Sequence, residues 1–314
     1  MSPARDDTER VGVGRAPSSP FRLRPSEWLT VFKRTGEEFL SDNCMSLGQQ
    51  VAYSSALALF PTAAFLIGLL SVFGLFNPIQ SFLATVAPHG VISFIQGLQN
   101  DSHGGAGAVA LVIGGAAAIW TASGAMGTVM QAVNIAYDRF DDRSFVQKRI
   151  TAIVLVGLFG ATIVALAVLL LFGGPLGQAI ADRAHLGTVF TWAWRILRWP
   201  VAFVAVLILF GLVYYFAPNI QHRRWQWVTP GSVVGAALWL LLSGLFTVYV
   251  TFAGSYSKTY GSLAAAFILL VWLNYSSWAI LFGAELNAEL DRQADIDAAG
   301  GENAGLVRPV RRRR

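Results

Sequence analysis

The side chains that could carry out chemistry in this chain are few and widely spaced. Its four histidines lie far apart in the sequence, and none stands at the i, i+4 spacing typical of a metal site. The single cysteine, Cys44, has no partner for an internal disulfide. The phosphate-binding pattern GxxxxGKS or GxxxxGKT does not occur. The sequence therefore predicts no metal site, no cofactor and no enzymatic activity.

Polar side chains that flank or interrupt long uncharged stretches are the remaining candidates for function. A polar group at membrane depth is costly unless it is paired, so a binding site is sought first among such groups. Glu285 has no partner that the sequence identifies, although Arg223 or Arg224 could join it near the same boundary. Pro61 should bend its helix because proline lacks the N–H that the helix needs. The candidates for a polar cavity, or for a cluster that locks the helices together, are Gln49, Gln50, Tyr53, Pro61, Asn134, Asp138, Tyr260, Asn274, Glu285 and Asn287.

Long uncharged stretches must position these side chains. The chain has 314 residues, of which 54% are hydrophobic and 13% charged, whereas a soluble domain is about 25% charged. A bilayer core about 30 Å thick is crossed by about 20 helical residues. The stretches without Asp, Glu, Lys, Arg or His are residues 51–76, 107–137, 150–172, 200–217, 228–253 and 261–284. The sequence thus predicts an all-α, polytopic integral membrane protein with six transmembrane helices.

The basic residues determine the predicted orientation. Of the 23 Lys and Arg residues, 19 fall on the side of the chain termini. Because basic loops stay in the cytoplasm, both termini are predicted to be cytoplasmic. The net charge of +5 therefore reflects topology rather than nucleic-acid binding. The membrane domain is predicted to comprise residues 25–291. Residues 1–24 are predicted to form a disordered tail, and residues 292–314 are predicted to form a flexible basic tail that contacts lipid headgroups.

Short amphipathic segments flank the predicted spans. From Pro25, apolar residues recur near helical spacing, which predicts a helix that either lies in the membrane interface or packs on the end of the bundle. Residues 77–100 and 183–199 have the composition of interfacial helices on the opposite side. Within the fifth span, Gly231 and Gly235 have the GxxxG spacing that is typical of closely packed membrane helices. The predicted fold thus combines six spans with short interfacial helices.

Several motifs resemble those of a known family. The most specific are Phe60-Pro61, Pro230-Gly231, Tyr260-Gly261-Ser262 and Gly283-Ala284-Glu285-Leu286-Asn287. Over residues 37–291 the chain resembles the YihY/BrkB family of bacterial inner-membrane proteins, formerly labelled ribonuclease BN. The resemblance implies cytoplasmic termini, a location in the bacterial inner membrane and a link to virulence and envelope integrity, with no established molecular activity. Phe216 departs from the family pattern, which often has a basic residue there.

The leading functional hypothesis is a transporter or permease-like protein for a lipid or another amphipathic envelope substrate. The alternative is a non-catalytic scaffold or assembly factor that presents its surface to other envelope proteins. A membrane-bound ribonuclease is disfavoured, because metal-dependent RNA hydrolysis needs clustered carboxylates or histidines and the predicted spans contain none. The expected partners are therefore membrane lipids and envelope proteins, with no specific nucleic acid.

Overall fold

The fold is a bundle of long α-helices. The computed structural model describes residues 25–72, 107–169, 174, 181–183, 187–220, 228–252 and 262–298. The helices in these ranges are α1 (Pro25–Ser41), α2 (Cys44–Val72), α3 (Gly107–Ala136), α4 (Phe145–Ala167), α5 (Gly187–Phe216), α6 (Pro230–Phe252) and α7 (Ser262–Ala298). They confirm the all-α class that the sequence predicts.

Five of these helices, α3 to α7, are long and apolar enough to cross a membrane. They coincide with the second to sixth predicted spans. The first predicted span, residues 51–76, coincides with α2 as far as Val72, and its last residues lie outside the described ranges. Large apolar side chains such as Val112, Ile163 and Leu245 are exposed on these helices, which is typical of surfaces that face lipid. The chain is therefore a polytopic all-α membrane protein.

The helices form a ring in chain order. Each helix from α2 to α6 packs against the next one, and α7 returns to pack against α2. α7 also contacts α1 and α3. The final helix is thus the element on which most of the bundle assembles.

Buried residues concentrate at one end of the bundle, which we call the packed end. There α2, α4 and α6 begin, and α3, α5 and α7 end. In α7 the described buried residues lie from Ser277 onward, apart from Ala264. In the other helices, the described buried residue farthest from the packed end is Ala58 in α2, Gly115 in α3, Leu155 in α4, Ala202 in α5 and Ala236 in α6. We call the remaining part of the bundle the open half.

Local sequence signals define the helix ends at the packed end. Asn43 joins α1 to α2 with a φ of 55°, and Asp138 follows α3 with a φ of 51°. Asn and Asp are the residues besides glycine that most readily adopt this left-handed conformation. α4 begins at a capping box, in which Ser144 and Gln147 each accept a hydrogen bond from the other's backbone N–H. These residues allow the chain to reverse within short connections.

Two segments differ from the sequence-based expectation. Residues 187–199 do not form a separate interfacial helix but the first part of α5, which continues through Pro200. The φ of proline is compatible with a helix, so the apolar run on both sides keeps α5 continuous with the loss of one hydrogen bond. α7 continues to Ala298, into the segment predicted as a flexible tail. The predicted helices of residues 77–100 lie outside the described ranges.

The sequence predicts that α1 lies either in the membrane interface or against the end of the bundle. In the structure it packs against the bundle. Val31 is buried and packs with Leu286 and Leu290 of α7. Phe39 lies near Phe282 of α7, with ring centroids 5.9 Å apart. The N-terminal helix therefore covers the end of α7 at the packed end.

Gly231 and Gly235 allow α6 to cross α7 closely. A Cβ added at Gly231 would overlap the carbonyl oxygen of Gly283. One added at Gly235 would lie 3.1 Å from the carbonyl oxygen of Ala279. At Gly244 in the same helix, an added Cβ would meet nothing within 4 Å. The contact predicted from the GxxxG spacing is therefore confirmed.

Gly231→Ala should lower the free energy of unfolding by about 1–3 kcal/mol or more, because its methyl group would overlap the backbone of α7. Gly244→Ala is the matched control and should leave stability unchanged or raise it slightly, because alanine favours helix. Thermal unfolding of the purified chain in detergent, followed by circular dichroism, measures both. Equal losses in the two variants would contradict the close crossing.

Candidate functional site

Glu285 is buried at the packed end, where α2 begins beside the last turns of α7. The Cys44 thiol donates a 3.3 Å hydrogen bond to Glu285 Oε1, and only 3% of Glu285 is exposed. Burial raises the pKa of the Cys44 thiol above its usual value, so the thiol stays protonated and acts as the donor. The partner of Glu285 that the sequence did not identify is therefore the single cysteine.

Asn134 joins the end of α3 to the end of α5. Its amide nitrogen donates to the carbonyl oxygens of Met130 at 2.7 Å and Ala217 at 3.2 Å. Its Oδ1 accepts a 2.8 Å hydrogen bond from the backbone N–H of Asn219. All the hydrogen-bonding groups of this buried amide are thus used to connect two helix ends.

Asn287 performs the same task between α7 and α6. Its Oδ1 accepts a 2.9 Å hydrogen bond from the backbone N–H of Gly231, and its Nδ2 donates to the Thr229 hydroxyl at 3.0 Å. The first N–H groups of a helix have no partner within the helix. Asn287 therefore satisfies the start of α6 from a neighbouring helix.

Arg292 supplies a positive charge at the packed end. Its Nη2 lies 2.8 Å from Asp138 Oδ2, and its Nη1 lies 3.0 Å from Glu289 Oε2. The sequence led us to expect this charge from Arg223 or Arg224, which lie outside the described ranges. We call the following residues the packed-end cluster: Cys44, Asn134, Asp138, Glu285, Asn287 and Arg292.

Asp141 and Arg143 close the packed end beside this cluster. Arg143 Nε lies 2.8 Å from Asp141 Oδ1, and Arg143 Nη2 donates to the Ala217 carbonyl oxygen at 2.7 Å. Partial burial by itself raises the pKa of Asp141, but the hydrogen bonds and charge of Arg143 outweigh it and hold the pKa below its usual value. The ion pair thus fixes the start of α4 against the end of α5.

The other predicted site residues do not join the packed-end cluster. Gln49 and Gln50 are exposed in the first turns of α2, and 63% of Tyr53 is exposed. Pro61 is half-buried, and α2 is helical on both sides of it. Tyr260 lies outside the described ranges.

Asn274 and Ser54 lie deeper in the bundle. At a rise of ~1.5 Å per residue, Asn274 is about 16 Å along α7 from Glu285, and Ser54 is about 15 Å along α2 from Cys44. The Ser54 hydroxyl accepts a 3.2 Å hydrogen bond from Thr128 of α3. Asn274 Oδ1 is buried without a donor in the described part of the chain. This oxygen faces α2, because a Cβ added at Gly48 would lie 3.4 Å from it.

The side chain of Arg149 extends from α4 to the part of α3 that contains Ser123 and Trp120. Its Nη1 donates to the Ser123 hydroxyl at 3.0 Å, and its guanidinium carbon lies 3.8 Å from the centroid of the Trp120 ring. Ser123 is about 16 Å along α3 from Asn134. We call Ser54, Ser123, Thr128, Arg149 and Asn274 the mid-depth layer.

Sequence reasoning missed Arg149 because its charge was taken to mark a loop. The signal that could have found it is the capping box at Ser144 and Gln147, which starts the helix before Arg149 and places this residue in the second turn. Cys44 and Arg292 carried no comparable signal, since their partners are distant in sequence.

The helices and their buried polar connections define a polytopic membrane protein whose helix ends are joined at one side. The chain belongs to the BrkB family. The family model described as Virulence factor BrkB matches residues 35–305. This match confirms the resemblance seen in the sequence, and the family is one of membrane proteins without an established activity.

Three relatives illustrate the family. The chain is 30% identical over 252 residues to the ribonuclease-like protein YfkH of Bacillus subtilis, covering 80% of this chain and 91% of that protein. It is 34% identical over 133 residues to a UPF0761 membrane protein of Idiomarina loihiensis, covering 39% and 46% of the two chains. It is 26% identical over 264 residues to a UPF0761 membrane protein of Xanthomonas oryzae pv. oryzae, covering 80% and 58%. No solved structure matches the chain significantly.

Asp141→Asn should lower the free energy of unfolding by about 1–3 kcal/mol at pH 7, because it removes a charged acceptor from Arg143. The charged carboxylate stabilises the fold above its usual pKa of 3.8, and this contribution is lost as the pH falls through the lower pKa of the folded state. The difference between the wild type and the variant should therefore shrink below pH 3.8.

Chemical unfolding in detergent at neutral and acidic pH measures this difference. Asp182→Asn, at an exposed position, is the control and should have little effect at either pH. A loss of stability in Asp141→Asn that is the same at both pH values would contradict the role of the ion pair.

Proposed function

We propose that the chain is a permease-like transporter of the bacterial inner membrane that moves an amphipathic substrate, such as a lipid. The division of the bundle into a packed end and an open half supports this proposal. Among the described residues, few side chains are buried in the open half, although α6 and α7 remain in contact there. A carrier needs a closed side and a side from which substrate can enter.

The open half offers the mixed surface that an amphipathic molecule requires. Between α6 and α7, the Trp239 indole N–H donates to the Ser276 hydroxyl at 3.0 Å, and the Trp272 indole N–H donates to the Ser243 hydroxyl at 3.2 Å. None of these four side chains is fully buried. Aromatic rings with a polar edge suit ligands that have an apolar body and a polar end.

The mid-depth layer supplies polar groups beside this surface, since Asn274 lies between Trp272 and Ser276 in α7. Asn274 contributes an unpaired acceptor and Arg149 a cation. Polar groups at membrane depth are typical of substrate pathways. We infer that this layer forms the floor of the transport site, with the packed-end cluster as the seal beneath it.

The proposal also assigns an orientation of the bundle in the membrane. Because 19 of the 23 Lys and Arg residues lie on the side of the termini, we place the packed end at the cytoplasmic side of the membrane and the open half toward the outer leaflet. The substrate would be a membrane lipid or a lipid-like envelope molecule, and envelope proteins could be partners.

A non-enzymatic role also fits the acidic residues of the packed end. The carboxylate of Asp138 binds Arg292, that of Asp141 binds Arg143, and that of Asp142 binds Asn219. A nuclease needs carboxylates that hold a divalent metal ion. We therefore do not extend the ribonuclease-like name of the Bacillus relative to this chain.

Reconstitution of the full chain into liposomes that contain fluorescently labelled phospholipids tests the proposal. The wild type should expose inner-leaflet label to an outside quencher, such as dithionite, whereas protein-free liposomes should protect it. Asn274→Leu should slow this exchange at least about tenfold if Asn274 contributes one charge-assisted hydrogen bond to a ligand. It should not lower stability, because the variant removes a buried unpaired acceptor.

Ser277→Ala in the same helix is the matched control. The Ser277 hydroxyl donates to the Leu273 carbonyl oxygen of α7 itself, so its removal should leave the exchange rate unchanged. No exchange of any labelled lipid by the wild type, across anionic and zwitterionic headgroups, would contradict the proposed function.

A further inference from the structure

Arg149 is a cation within a membrane-spanning helix, and its contacts in the described part of the chain are with neutral groups. Its Nη1 lies 3.0 Å from Ser123 Oγ and 3.4 Å from the Trp120 carbonyl oxygen. Its guanidinium also stacks on the Trp120 ring and lies 5.7 Å from the ring centroid of Phe145. No carboxylate of the described residues pairs with it. Arg149 therefore brings an uncompensated positive charge into the span Phe145–Leu166.

Such a charge is expensive in hydrocarbon unless a partner offsets it. The Trp120 ring recovers part of the cost through its cation–π contact. The Nε–H of Arg149, however, is buried and has no acceptor among the described residues. On a guanidinium, Nε and Nη2 form the edge that binds two oxygens of a carboxylate or a phosphate. The unused edge of Arg149 is thus the one suited to an oxyanion.

The surroundings of Arg149 are open on the lipid side. Trp120 is 59% exposed and Phe145 is 69% exposed. A Cβ added at Gly124 would lie 3.7 Å from Arg149 Nη1, and one added at Gly127 would meet nothing within 4 Å. Small residues on α3 therefore leave room beside the guanidinium, next to a surface that faces the bilayer.

Building on the permease-like function above, we propose that Arg149 binds the phosphate group of a phospholipid between α3 and α4. A phosphate oxygen accepts a hydrogen bond from Nη2, a second accepts from Nε once the guanidinium turns toward the bilayer, and the acyl chains lie against the exposed apolar side chains around Trp120. A phospholipid reaches this surface directly from the bilayer, whereas a free phosphate ion would have to enter hydrocarbon without its water shell.

Equilibrium binding to the full chain in detergent tests this site. The ligands are short-chain phosphatidylglycerol and diacylglycerol with the same acyl chains, which differ by the phosphate-bearing headgroup. The wild type should bind phosphatidylglycerol at least about tenfold more tightly, as expected for charge-assisted hydrogen bonds. Arg149→Gln should abolish this preference. Arg195→Gln should retain it, because Arg195 is an exposed arginine on α5 that stacks on Trp192 instead.

A second variant keeps the test decisive if Arg149→Gln does not fold. Arg149→Lys retains the charge but lacks the two-pronged edge, so its preference should be intermediate. An unchanged preference in both variants would overturn the site. Inorganic phosphate that binds the wild type as tightly as phosphatidylglycerol would overturn the lipid assignment.

Measuring lipid binding and lipid exchange separately distinguishes the Arg149 site from the permease-like function. A chain that shows the Arg149-dependent preference but exchanges no lipid in liposomes contradicts the permease-like function. A chain that exchanges lipid but shows no preference for the phosphate contradicts the Arg149 site alone.

Discussion

In hydrocarbon, a polar group must find its partner within the protein, and the packed end is where this chain meets that constraint. The ends of helices are the difficult places, because their last backbone groups have no partner in the helix itself. Ala217, just after α5, has its carbonyl oxygen bound by both Asn134 and Arg143. The N–H of Gly231 at the start of α6 is bound by Asn287. Side chains of other helices therefore satisfy these ends, and in doing so they join the helices.

The same interactions explain the central position of α7. Its last turns carry Glu285, Asn287 and Arg292, which bind groups from α2, from the start of α6 and from the residue after α3. Arg292 also pairs with Glu38 of α1 at 3.2 Å. One helix thus fixes four others at a single level, and the glycines of the α6–α7 crossing allow the backbones to approach there. Because these connections lie at one end, fewer of the described side chains need to be buried toward the other end.

The sequence predicts the spans well because a lack of charge over about 20 residues is a strong signal in lipid. The same criterion fails where an arginine belongs to a helix. Arg195 stacks on Trp192 within α5 and Arg149 stacks on Trp120 within the bundle, so a charge does not mark a loop at either place. The candidate residues Asn134, Asp138, Glu285 and Asn287 were found because they are polar near span ends. Their partners were not, because a contact such as Cys44 with Glu285 exists only once the ring has closed.

The two polar levels of the bundle differ in how completely they are satisfied. In the packed-end cluster, Asn134 and Asn287 use both their donors and their acceptors, and Glu285 and Asp138 each bind a donor. In the mid-depth layer, Asn274 Oδ1 and Arg149 Nε have no hydrogen-bond partner in the part of the chain that the structure describes. Unsatisfied buried groups lower stability and are therefore rare in folded proteins. A phosphate that accepts from Arg149 would supply the acceptor that its Nε–H lacks among the described residues. The contrast between the levels thus favours a structural role for the packed end and a binding role for the mid-depth layer.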